Sequence, residues 1–154
     1  MLTDIDIRHL TRAIQVAWNA REHGNHPFGA SLADENGNLV LEAENTVLTE
    51  KDLVGHAETN LVRVVARKFS REELGRCTLY ASTEPCPMCA GAIYWSGIGR
   101  VVYGTSAQYL HQLTDNPSAL KLVSCREILK ARDVPVIGPS LEAEANQVHE
   151  GYWK

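Results

Sequence analysis

"CTLYASTEPCPMCAGAIYWSGIGRVVYGT", residues 77–105, decides the fold. Cys77 to Thr83 is a short, mostly apolar run with strand character, and Arg100 to Thr105 is another. Between them, Pro87 opens a helix, because the first helical position has no use for the N–H that proline lacks; Cys86 is then the cap. Strand, helix and strand in direct succession predict two parallel strands joined by a right-handed crossover. Such a helix begins at the carboxyl end of its strand, where open α/β sheets bind ligands. Cys86 and Cys89, three apart at that start, share one helix face, and the positive helix end favours their thiolate form.

The chain upstream repeats the pattern. "FGASLADENGNLVLEAENTV" (28–47) reads as two strands joined by a turn, with Asn36-Gly37 as the hairpin signal. A helix from His56 follows, with Ala57, Leu61, Val64, Val65 and Lys68 on one face. Before the hairpin, Asp4 or Thr3 caps a helix in which Leu10, Ile14, Ala17 and Trp18 recur at helical spacing, and Gly24 ends it. The middle of the chain therefore alternates strand, helix, strand, helix, strand. Both helices start at one sheet edge, so His56 and Glu58 face Cys86 and Cys89. Downstream, "VPVIGP" (134–139) reads as a last strand. Residues 140–154 then form a C-terminal helical segment with Ser140 at its N-cap, in which Glu142, Glu144, His149 and Glu150 are expected at the solvated surface.

A length of 154 residues with 44% hydrophobic content supports one domain, 1–154. No basic-then-apolar leader pattern is visible, and no apolar run approaches the ~18 residues of a membrane span, so a cytoplasmic protein without membrane contact is the expectation. The net charge of −4 and the lack of any Lys/Arg cluster argue against a nucleic-acid partner. Cysteine pairs of this spacing serve redox chemistry, closed structural zinc sites or open catalytic ones. A closed site needs a second pair, and Cys77 and Cys125 stand alone, as expected of small buried hydrophobes. His56 completes a different set: two thiolates and an imidazole leave the fourth tetrahedral position open, as in a catalytic zinc site.

His56-Ala57-Glu58 followed by Pro85-Cys86-x-x-Cys89 matches the H-x-E…P-C-x-x-C pattern of zinc deaminases. With "HPFGA" (26–30), "EAENTV" (42–47) and the 83–104 segment, the chain resembles the cytidine/deoxycytidylate deaminase superfamily, in the branch of guanine, cytosine and tRNA adenosine deaminases. The resemblance covers roughly residues 10 to 105. It implies a three-layer α/β/α fold with a central mixed five-stranded sheet, a Zn2+ ion on His56, Cys86 and Cys89, and Glu58 as the proton shuttle. It further implies hydrolytic release of ammonia from a small-molecule nucleobase or nucleoside, and a homodimer. Guanine-like purines come first, then cytosine and other pyrimidines or triazines, with tRNA adenosine behind them. A zinc-stabilised binding module without catalysis and a CxxC oxidoreductase are the two rival classes.

For the substrate pocket, Asn45 either binds a polar edge of the base or only ends a strand with its side chain bonded to the turn. Phe28 either packs on the base or belongs to the core. The backbone N–H of Ala57 is a donor at a helix start. Trp95 matches the guanine-deaminase version of its helix. Asp115, in "YLHQLTDNPS" (109–118), either replaces an acidic residue of the guanine enzymes or sits in a plain turn. Tyr152 and Trp153 form either an active-site lid or an ordinary docked terminus.

Overall fold

The computed structural model describes residues 1–114 and 123–153. Its elements are α1 (Asp4–Glu22), β1 (Gly29–Ala33), β2 (Leu39–Glu44), α2 (Val47–Glu50), α3 (Ala57–Lys68), α4 (Arg71–Leu74), β3 (Thr78–Thr83), α5 (Pro87–Ser96), β4 (Arg100–Thr105), α6 (Ala107–Thr114), α7 (Cys125–Leu129), β5 (Val136–Ile137) and α8 (Glu142–Gln147). The five strands form one mixed sheet in the order β2-β1-β3-β4-β5. β1 runs antiparallel to both β2 and β3, while β3, β4 and β5 are mutually parallel. β2 and β3 therefore point the same way across β1. The expected three-layer α/β/α architecture is present.

Period-two alternation sorts the strand side chains between the two helical layers. Leu32, Leu79, Ala81, Val101 and Tyr103 pack with α3, α5 and α7. Ala33, Tyr80 and Val102 pack on the other face with Leu10, Ala13 and Ile14 of α1 and Ala145 of α8. α1 lies so close to β1 that a Cβ at Gly29 would sit 2.3 Å from the Ala13 carbonyl oxygen, so only glycine fits there. In the hairpin, Gly37 takes φ +82°. The Asp34 carboxylate accepts the N–H groups of Asn36 and Asn38, so the turn is wider than a two-residue loop. Among the described residues, no helix is long and apolar enough to cross a membrane.

Three local expectations are corrected. In α3 the buried face holds Ala57, Glu58, Leu61 and Val65. That face is turned towards Glu58, which leaves Val64 on the rim and Lys68 in solvent. The last strand is only Val136–Ile137. Ser140 is not a helix cap: its N–H donates to the Gly104 carbonyl, and Leu141, with left-handed φ of 47°, precedes α8. On the sheet's outer edge, the Val136 and Gly138 carbonyls accept from Arg126 at 2.6 and 2.7 Å.

Thr3, not Asp4, caps α1, and its capping-box partner Asp6 does more than cap. The buried Asp6 carboxylate accepts from Thr3 N at 3.0 Å, the Tyr80 hydroxyl at 2.8 Å and the Arg100 guanidinium at 2.7 and 2.9 Å. The Arg100 bonds hold the carboxyl well below its usual range, against the opposing effect of burial. One side chain thus joins α1 to β3 and β4. Asp6→Asn keeps the shape but leaves Arg100 without its counter-charge, and should cost about 2–4 kcal/mol in urea unfolding. An unchanged unfolding midpoint would contradict this.

Candidate functional site

The two helix starts meet as the strand directions require. His56 is the N-cap of α3 and Cys86 the N-cap of α5, with Pro87 first in that helix. The His56 ring makes no capping bond to α3 and points into the space between, where Cys86 Sγ turns towards it and towards Cys89. His56 Nδ1 lies 3.5 Å from Cys86 Sγ and 3.5 Å from Cys89 Sγ. Tetrahedral zinc with Zn–S of ~2.3 Å and Zn–N of ~2.0–2.1 Å places sulfur and nitrogen ligands roughly 3.6 Å apart. The His56 nitrogen stands at that spacing from each sulfur, and the three ligand atoms, all within 4.8 Å of one another, form a group that could hold such an ion. Cys77 and Cys125 are free and buried, and neither belongs to this group, as expected.

Electrostatics within the cluster follow from burial and mutual contact. A hydrogen bond with Cys89, and a further one with His56, bring the Cys86 thiol down to about 4 against the effect of burial. Cys89 is pushed upward, chiefly by sharing its proton with Cys86 and then by burial. His56 is raised, first by its bond to Cys86. Glu58, only 7% exposed in the first turn of α3, is raised to about 7, first by burial and then by the neighbouring Cys86 charge. A carboxyl at that value can release and recover a proton near neutral pH.

The surrounding positions divide. Asn45 is buried and its Oδ1 accepts from Val47 N at 3.0 Å, so the turn-forming role is present. Its Nδ2 takes part in none of the hydrogen bonds found among the described residues. Ala57 is fully buried at the start of α3. Phe28 packs partly on the core, the second of its two readings, and its ring centroid also lies 5.5 Å from that of His149 and 6.0 Å from that of Trp153. Trp95 is not brought to the cluster. It is 74% exposed and stands edge-on to Tyr94. Asp115 lies outside the described residues.

The C-terminal aromatics are docked beside the site by contacts that local sequence does not announce. Arg21, in the last turn of α1, donates to the Val148 and Glu150 carbonyls at 2.8 Å each. Its guanidinium also lies over the Trp18 and Tyr152 rings. The Tyr152 hydroxyl is 2.7 Å from His26 Nδ1, and the Trp153 ring stacks on His26 at 5.4 Å. Burial, and then the proximity of His56, hold His26 below its ordinary value. His149, expected at the surface, is instead 1% exposed, because this docking turns it inward beneath Trp153. Glu142, Glu144 and Glu150 are exposed as expected. The one signal that could have found His149 was its place beside Val148, an apolar neighbour ahead of terminal aromatics. Glu84 also proves structural: its carboxylate accepts from Ala107 N and Ser124 Oγ, tying α6 and α7 to the cysteine loop.

Burial, and then the charge of Arg21, lower His149 to about 4 from 6.5. As pH falls below 6.5 the unfolded chain takes up this proton first, so stability is full above about 6.5 and is lost progressively towards about 4. Thermal melts over that window should show a steeper loss for the native chain than for His149→Phe, which lacks the titrating group. Parallel slopes would refute the assignment.

Residues 3–105 match the family described as the cytidine and deoxycytidylate deaminase zinc-binding region. A probable cytosine deaminase of Schizosaccharomyces pombe is 42% identical over 99% of this chain and 94% of its own length. The guanine deaminase of Bacillus subtilis is 39% identical over 61% of this chain and 60% of its own. A guanine deaminase structure from Nitrosomonas europaea superimposes with a TM-score of 0.83 at 21% identity, over 99% of this chain and 85% of that one. The chain is an enzyme of the cytidine and deoxycytidylate deaminase family, with zinc as its metal.

Proposed function

We propose that this enzyme hydrolytically deaminates a small free nucleobase, a cytosine-like pyrimidine first and a guanine-like purine second, with Glu58 as its proton shuttle. The carrying observation is geometric: the Glu58 carboxyl is buried in the first turn of α3, immediately beside three side chains grouped to hold one metal ion. His56, Cys86 and Cys89 would hold the zinc, which when bound supplies Lewis acidity and lowers the pKa of a water to ~7. Glu58 would take one proton from the attacking water and deliver it to the ring nitrogen, then take the second from the hydroxyl added to the ring carbon and deliver it to the departing amine, which leaves as ammonia as the carbonyl forms. The free Nδ2 of Asn45 is suited to a ring carbonyl, and the Ala57 N–H is a second donor. Phe28 and Trp153 supply apolar surface for a flat ring.

Cytosine precedes guanine for two reasons. The S. pombe relative named a probable cytosine deaminase spans 99% of this chain. Trp95, which favoured guanine, is exposed away from the cluster. Relatives named tRNA-specific adenosine deaminases match about two thirds of the chain, and the net charge of −4 disfavours so polyanionic a substrate. Ammonia release should be measured over cytosine, cytidine, guanine, guanosine, adenine and ammeline. Cytosine should lead, and Glu58→Gln should keep the zinc while losing at least ~10²-fold in kcat. An active Gln variant would sink the shuttle role; guanine in the lead would reverse the substrate order.

A homodimer accompanies this function. α5 carries no charged residue, yet Met88 and Trp95, seven apart on one side of it, are exposed. A helix apolar on every side belongs against another surface. Sedimentation should find a dimer that Trp95→Glu dissociates, and a native monomer would exclude it.

A further inference from the structure

The terminal aromatics are joined to the strand that carries the cysteine loop through one side chain, and its hydrogen bonds admit a single arrangement. Trp153 Nε1 lies 3.1 Å from His149 Nδ1, and His149 Nε2 lies 3.0 Å from Thr83 Oγ1. An indole N–H can only donate, so Nδ1 must accept. The proton of the neutral imidazole then sits on Nε2 and is donated to the Thr83 hydroxyl. The other tautomer would set two N–H groups face to face. Thr83 ends β3, three residues before Cys86. The bridge therefore ties Trp153 to the cysteine loop and not to a remote surface.

We infer that His149 is a positioning residue, holding Trp153 against the site by bridging its indole to Thr83; this rests on the pocket proposed above. His149 is enclosed between Phe28 and Trp153, with ring centroids 5.5 and 6.3 Å away. Arg21 faces this segment from α1, through the carbonyls on either side of His149, and His26 faces Trp153 from the loop before β1. Those contacts fix the backbone and the far side of the indole ring. The orientation of its N–H edge is left to His149. An apolar residue would fill the same space and leave the indole free to turn.

The test uses the zinc-loaded chain with Trp18→Phe and Trp95→Phe, where Trp153 is the remaining one of three tryptophans. Adding His149→Phe should make Trp153 fluorescence about twofold or more as quenchable by acrylamide. In the otherwise native enzyme it should raise KM for the best base about three- to tenfold, the worth of one lost hydrogen bond, with kcat within about twofold. In a Trp153→Phe background the same substitution should leave KM unchanged, because His149 acts through that indole. Unaltered quenching, or a KM effect that persists in full without Trp153, would overturn the inference and leave His149 as core packing. Should His149→Phe not fold, Thr83→Val cuts the same bridge at its other end, with the same expected and contrary results. Ammonia from none of the bases would defeat the proposed function, and the quenching comparison alone would then decide the role of His149.

Discussion

The placement of β1 between β2 and β3 is the constraint on which the site depends. Because β1 is antiparallel to both neighbours, β2 and β3 share a direction, and the chain leaves both at the same sheet edge. α3 and α5 consequently begin side by side, and their caps become His56 and Cys86. The usual cap residues satisfy backbone donors with their own side chains. Here the two side chains turn towards each other and Cys89 and form a group compatible with zinc, while the positive helix ends favour thiolate nearby. Gly29 serves the same geometry, since α1 can press on β1 only where no Cβ intervenes.

Glu58 shows how packing and chemistry are set by one rotation. The turn of α3 that moves Val64 to the rim carries Glu58 into the interior. Burial of a carboxyl without a full counter-charge raises its pKa, as the nearby thiolate also does. A surface glutamate at the same helix start would ionise far below neutrality.

Most of this was legible where the signal is local. The strand–helix–strand run of 77–105, the hairpin, the helix from His56 and the metal ligands follow from periodicity, turn chemistry and spacing. What escaped depends on contacts far apart in the chain. His149 reads as surface in its own helix, and becomes interior only because Arg21, 127 residues before Val148, pins the segment down. Trp95 matched a pattern of relatives, yet its side chain faces outward. The final strand is shorter than the apolar run "VPVIGP" suggests, because only two of its residues pair with β4.

The sheet ends at β5, where Arg126 takes the carbonyls of Val136 in the strand and of Gly138 just beyond it. A bare sheet edge offers a template on which another chain can add a strand. With its acceptors occupied by a charged guanidinium, this edge offers an incoming peptide few partners and a costly ion to displace. The short fifth strand therefore closes the sheet chemically as well as topologically, and protects the molecule from ribbon-like growth into aggregates at that side.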